Sequence, residues 1–145
     1  MPERVGRGLR RVESVTRERY LEDALPLVVG GLESLLKVIR DFARAQFSQR
    51  VPAVAREVGV TLTEAQCRDL YDDRSALVHG AGVDLSQPHD RSAFEQGFNA
   101  LQETLRSAVR RALEDRQFAA VFEEDARITA RWPAVVTRHG ALHTI

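Results

Sequence analysis

A chain of 145 residues and 16.3 kDa fits one domain rather than two, and can bury roughly two-thirds of its unfolded surface without staples. Twenty-one basic and twenty-one acidic residues give a formal charge of zero, which excludes a uniformly basic nucleic-acid coat and confines any polyanion site to a local patch. A single cysteine, Cys67, excludes an intramolecular disulfide and a multi-cysteine zinc site, while 43% hydrophobic residues argue against global disorder.

Helical periodicity recurs almost throughout, with no repeat and no low-complexity segment. A first helix is predicted from about Leu9 to Leu21, after the loosening Gly6 and Gly8, with Val12, Val15 and Arg19 or Tyr20 along its inner side. Six arginines among the first nineteen residues make this the most basic stretch, read as a solvated face. The second helix has Asp23 as a cap and Pro26 in its first turn. Leu25, Val28, Val29, Leu32, Leu35, Leu36 and Ile39 form its buried stripe. Gly30-Gly31 within it suits the close approach of a neighbouring helix. A third helix is expected over Phe42 to Val58, with Phe47, Val51, Val54 and Val58 inward, a kink at Pro52, and Gly59 as its stop.

Thr61 followed by Glu64 has the capping-box pattern and opens a fourth helix that runs to His79, where Gly80 supplies a left-handed end. After the loop AGVDLSQPH, a fifth helix over Arg91 to Arg116 carries Phe94, Phe98, Leu101, Leu105, Val109 and Ala112 on one side. A short sixth helix follows around Phe118 to Arg127. No segment reads as a half-buried strand, and residues 134–145 read as a frayed tail. The expectation is one all-α domain over residues 1–133, a bundle of about five main helices plus a short C-terminal one, with its core within 23–116. The longest apolar run, Ala24 to Leu32, ends at Glu33, well short of the roughly 20 residues that span a bilayer. With no secretory pattern at the N-terminus, a cytoplasmic protein without membrane attachment is the default.

Chemistry concentrates in Leu70-Tyr71-Asp72-Asp73-Arg74-Ser75-Ala76-Leu77-Val78-His79-Gly80. Cys67, Leu70, Tyr71, Arg74, Leu77 and Val78 share one helical face, so Arg74 sits inside an apolar stripe and must be paired or reach a solvated cleft. Glu33 and Asp73 are candidate partners. Asp72, Ser75 and His79 lie along the opposite stripe, with Ser75 one turn before His79 and able to hydrogen-bond it. Five residues of helix separate Arg74 and His79 by about 140° and about 7.5 Å of rise. Bringing them together requires either that His79 swing off the helix end or that two copies of the helix face each other.

This string resembles the signature of the HEPN superfamily in its Apea-like branch, where an arginine, a short spacer and a histidine end a helix before glycine. Asp23-Ala24-Leu25 with Val28 to Leu36 is similar to that family's first core helix, Phe47 to Val58 to its amphipathic helix, and Leu101 to Leu113 to its closing helix with paired arginines. The resemblance runs from roughly Arg17 to Arg116, and departs from the pattern at Ser75 and at Pro26. It implies metal-independent RNA cleavage to a 2′,3′-cyclic phosphate with no cofactor. In that scheme His79 is general base or acid, Arg74 stabilises the phosphorane, Ser75 orients the imidazole, and Asp72, Glu33 and Tyr71 support the site. It also implies a homodimer, RNA as ligand, and toxin–antitoxin or antiviral context with an antitoxin or nucleotidyltransferase partner.

Each residue also has a plainer reading. His79 before Gly80 suits any helix C-terminus. Tyr71 suits the core better than a base-stacking platform. Asp72 and Asp73 point about 100° apart, which argues against a shared metal. Arg110 and Arg111 are phosphate contacts or a solvated face. Cys67 reads as a small core residue, with no histidine near it in sequence. The alternative to an enzyme is a non-catalytic helical module of the same fold that dimerises or binds RNA, a nucleotide or a protein.

Overall fold

A computed structural model describes every residue from Met1 to Ile145. The elements are α1 (Glu3–Val15), α2 (Leu21–Leu36), α3 (Ala43–Glu57), α4 (Glu64–Val78), α5 (Pro88–Glu114), α6 (Arg116–Val121), α7 (Asp125–Arg131), β1 (Val135–Arg138) and β2 (Ala141–Thr144). The protein is a mostly helical bundle with a small antiparallel hairpin at its C-terminal end. No helix is long and apolar enough to cross a membrane.

The apolar stripe of α2 explains its central position. Leu25, Val28, Val29, Leu32, Leu35 and Leu36 are all buried, each worth about 1.5–3 kcal/mol relative to exposure, and α2 packs against α1, α3, α4 and α5. The helix starts three residues earlier than the sequence suggests. Tyr20 is the N-cap, so Asp23 lies in the first turn and Pro26 lies inside the helix, where it leaves the Glu22 carbonyl without its usual donor. At the other end α2 stops at Leu36. Ile39 lies beyond it, where Gln46 Oε1 accepts from the backbone N–H of Val38 at 2.8 Å and of Ile39 at 3.3 Å.

The first helix is displaced from its expected bounds. It begins at Glu3 and ends at Val15, leaving Arg19 and Tyr20 outside, the latter 64% exposed. Gly6 and Gly8 are helical because packing outweighs a propensity cost of about 1 kcal/mol each. A Cβ on Gly8 would lie 3.1 Å from Val109 Cγ2, and one on Gly31 would lie 2.7 Å from Leu105 Cδ2 and 3.1 Å from Arg11 Cβ. Close approach of α1, α2 and α5 therefore depends on these positions, as the Gly30-Gly31 pair implied.

Helix α4 is capped by Thr63, not Thr61. Thr63 Oγ1 accepts from Gln66 N at 3.1 Å and Gln66 Oε1 accepts from Thr63 N at 3.0 Å. Both Thr61 and Thr63 fit the pattern, but the Thr63 register buries Leu62 just before the cap and Cys67 at the fourth helical position, the two places a hydrophobic staple uses. The predicted sixth helix is two short helices. Asp115 Oδ1 caps α6 by accepting from Gln117 N and Phe118 N, and α7 starts afresh at Asp125.

The tail is ordered where fraying is predicted. Val135 faces Thr144 and Arg138 faces Ala141, while His139 (φ 51°) and Gly140 (φ 75°) make the left-handed pair of a two-residue hairpin turn. Ala134 and Ile145 exchange backbone hydrogen bonds of 2.9 and 2.7 Å, and Gln49 clasps Val135 through both N–H and carbonyl. Val136 is buried but the strands are otherwise exposed, so the alternation that marks a strand in sequence is nearly absent.

Arg50 of α3 is fully buried, a feature that the apolar pattern does not signal. Its guanidinium donates to Trp132 O at 2.8 Å, Leu36 O at 3.0 Å and Gln46 Oε1 at 2.7 Å, while Nη2 meets no acceptor. Burial first, then the nearby positive Arg4, pushes its pKa below the usual arginine value.

Candidate functional site

The C-terminal half of α4 climbs out of the core. Along its apolar face Cys67 and Leu70 are buried, Tyr71, Arg74 and Leu77 are half-buried, and Val78 is 59% exposed. Arg74 therefore lies at the margin of the core rather than inside it, which lowers the cost of placing a cation there.

Glu33 from α2 is its partner. Arg74 Nη2 donates to Glu33 Oε2 at 2.6 Å, and Tyr71 O–H donates to Glu33 Oε1 at 3.1 Å. The Arg74 guanidinium also stands 4.8 Å from the centroid of the Tyr71 ring, and that ring packs on Phe47 at 5.3 Å. Glu33 interrupts the apolar run of α2 for this purpose. Burial, then the negative Glu33, raises the Tyr71 pKa, so the phenol stays protonated and keeps donating. Tyr71 thus has both a packing and a polar role. Asp73, the other candidate partner for Arg74, is elsewhere.

His79 is the C-cap of α4 and is exposed; its backbone N–H donates to Ser75 O at 3.1 Å. That backbone bond is the link between the two residues, in place of the side-chain bond expected of Ser75. Gly80 follows with φ 76°, the left-handed end foreseen in the sequence. Arg74 points toward α2 while His79 lies at the exposed helix end, so one copy does not gather the two groups around a common point.

Asp72 does not join them either. It takes a two-pronged pair of hydrogen bonds from Arg44 of α3, Nε at 2.8 Å and Nη2 at 2.7 Å, and these bonds hold its pKa below the ordinary carboxyl value. On the far side of α4, Asp69, Asp73, Asp84 and Asp90 border a cleft of about 380 Å³ floored by Leu70 and Phe94. There burial, reinforced by Asp69 and Asp72, raises the pKa of Asp73. No three His, Cys, Asp or Glu side chains are grouped so as to hold a metal ion.

The two arginines expected on α5 have separate surroundings. Arg111 donates to the Glu57 carbonyl at 3.1 Å and lies 4.5 Å from the Phe118 ring centroid, so it is engaged in packing rather than presented to solvent for phosphate. Arg110 is exposed, on the rim of an apolar groove with Leu9, Val12, Val109 and Leu113. Cys67 is buried, and burial pushes its thiol up to about 12, which suits a packing role.

Two features went unforeseen. A second carboxylate cluster forms around Glu57, which accepts from Arg131 at 2.8 Å and from Trp132 Nε1 at 2.8 Å, with Arg111 at 3.9 Å. Arg7, Arg10 and Arg11 of α1 border a cleft with Ser14 and Ser34 that has no apolar lining. The clustering of arginines near the N-terminus was the one signal for the latter. No family model matches the chain, and no match is found among curated proteins or solved structures.

Proposed function

We propose that this chain is a metal-independent endoribonuclease of HEPN type, acting in the cytoplasm as a homodimer. The observation that carries the reading is a guanidinium fixed by Glu33 and Tyr71, five residues before an unengaged histidine at an exposed helix end. The exposed Val78 beside His79 supports apposition of two α4 ends, because an apolar side chain left in water gains about 1.5–3 kcal/mol on full burial.

In such a pair, one imidazole takes the proton of a ribose 2′-hydroxyl as O2′ attacks phosphorus. The P–O5′ bond breaks while a second, protonated imidazole gives its proton to O5′, leaving a 2′,3′-cyclic phosphate and a 5′-hydroxyl. Arg74 stabilises the negative charge of the phosphorane through N–H groups that Glu33 does not occupy. Glu33 and Tyr71 are positioning residues for Arg74, and Ser75 holds the end of α4 through its carbonyl. The resemblance of LYDDRSALVHG to the family signature supports reading this activity as part of toxin–antitoxin or antiviral defence, with an antitoxin or nucleotidyltransferase as partner.

A non-catalytic binding or dimerisation module is the second reading. It is favoured by the Glu57 cluster, where the same carboxylate–arginine–aromatic chemistry serves packing alone. RNA cleavage in the presence of EDTA separates the two. Wild type is expected to yield cyclic-phosphate ends, and His79→Ala to lose about 10²–10⁴-fold in rate with unchanged helicity and mass. If each site takes one imidazole from either copy, mixing His79→Ala with wild-type subunits lowers activity by more than the fraction of variant added, because mixed dimers lack either the acid or the base. Full activity in His79→Ala removes the proposed mechanism.

A further inference from the structure

The charges of this neutral chain are sorted in space. Four aspartates border the cleft beside α4, while Arg7, Arg10 and Arg11 border a cleft of about 330 Å³ where α1 meets α2. Arg10 and Arg11 each lie about one turn beyond Arg7 on α1, and Arg7 and Arg11 are offset by about 6 Å of rise. Arg11 lies over Gly30, its Nε 3.9 Å from where a Cβ there would be, an ordinary van der Waals distance that keeps its guanidinium against α2.

Free hydrogen-bonding capacity in this cleft is cationic. Ser14 Oγ donates to Arg10 O at 2.9 Å and Ser34 Oγ donates to Gly30 O at 2.7 Å, so the serine protons are spent on the backbone. Arg10 and Arg11 are exposed and make no ion pair; Arg7 pairs with Glu3 at 2.7 Å, an exposed contact that is weak in water. Arg4 at the end of the row is already committed to Asp125 and to the Ser34 and Lys37 carbonyls. Ser34 adjoins Glu33 in sequence, so α2 carries the cleft toward α1 and the Arg74 anchor toward α4.

We infer that the Arg7–Arg10–Arg11 cleft binds the phosphodiester backbone of a single-stranded RNA, on the face of α2 next to the one that carries the Arg74 anchor. A row of guanidiniums with no apolar floor suits a repeating anion rather than a compact organic ligand, and phosphate contacts of this kind position a strand without reading its sequence. The identity of the strand rests on the ribonuclease reading; affinity of the cleft is measured apart from it.

The test is fluorescence anisotropy with a labelled oligouridine across a series of KCl concentrations, in the non-cleaving His79→Ala background. For single strands the slope of log affinity against log salt falls by about 0.7 per phosphate contact removed. Arg7→Ala/Arg10→Ala/Arg11→Ala is expected to weaken binding at least tenfold and flatten the slope by about two, and Arg10→Ala alone by about 0.7. Arg56→Ala/Arg91→Ala/Arg116→Ala, which removes three exposed arginines elsewhere, is expected to change neither. Equal affinity and slope in the α1 triple variant and its parent overturn the inference. So does equally tight binding of poly-glutamate, which would mark the cleft as a dock for acidic protein segments. Arginine-dependent binding by a protein that cuts no RNA leaves the inference standing and removes the ribonuclease reading; cutting that is indifferent to the α1 variants does the reverse.

Discussion

Glu33 and Glu57 sit on different helices and build nearly the same object. Each accepts from one arginine and from the polar edge of an aromatic ring: Arg74 and Tyr71 for Glu33, Arg131 and Trp132 for Glu57. In each, the arginine also lies near that ring, at 4.8 Å for Arg74 and 5.5 Å for Arg131. The surroundings differ. A second arginine, Arg111, closes on Glu57, the rings of Phe118, Phe122 and Trp132 pack edge-on and tilted against one another beside it, and the cluster holds no imidazole. Around Glu33 one arginine serves alone, at the edge of a helix that ends a turn later in an unengaged histidine. A carboxylate–arginine–aromatic set is therefore no mark of catalysis by itself; the neighbouring imidazole is what sets Arg74 apart.

The largest expected difference between the two clusters is in turnover. Arg74→Ala should lower the RNA cleavage rate by about 10²–10³, the usual loss for one donor to a developing anion, while Arg131→Ala leaves the rate per folded molecule unchanged. Initial rates normalised to folded protein decide it, and equal effects would erase the distinction. Stability should run the other way. Glu57→Ala strips two guanidiniums and an indole N–H of an acceptor and is expected to cost about 2 kcal/mol in urea unfolding, against a Glu33–Arg74 coupling of about 1 kcal/mol from a double-mutant cycle. The bond from Arg131 holds the Glu57 pKa below 4.5. Its contribution is thus present above 4.5 and lost as pH falls through the lowered folded value, so the difference between wild type and Glu57→Ala should shrink in acid.

The smallest effect is expected at Asp73, where nothing like either cluster forms. Its raised pKa means that the folded state disfavours the charge. The corresponding stability is present below the unfolded value of 3.8 and lost as pH rises through the folded one, so Asp73→Asn should stabilise at neutral pH by about 0.5 kcal/mol or less. Thermal melts at pH 7 and at pH 3 check this, with the gain confined to pH 7.

Where one face of a helix is strongly apolar, the sequence was enough. The α2 stripe, the inner side of α5 and the Gly80 stop of α4 all read directly, because burial and left-handed geometry each demand particular residue types. Glu33 stood out for the same reason, as a charge within an apolar run. Boundaries failed where two patterns competed: Thr61 and Thr63 both fit a capping box, and only tertiary burial of Leu62 chooses between them. Gly8 misled because its propensity cost is local while its packing gain against Leu35 and Val109 is distant. The hairpin was hidden by strands too short and too exposed to alternate, and by a His139-Gly140 turn in place of the commoner asparagine–glycine. Arg50, Glu57 and Trp132 could not be joined at all, since contacts across some 80 residues leave no periodic trace.

The buried Arg50 has a consequence for how the chain can be cut and made. Its acceptors come from Leu36, Gln46 and Trp132, so a cation in the first half is sheltered by a carbonyl near the end. During vectorial synthesis that charge must stay wet, and its neighbourhood loosely knit, until Trp132 has left the exit tunnel. A deletion that stops short of Trp132 should accordingly yield a swollen, protease-sensitive product rather than a trimmed native one.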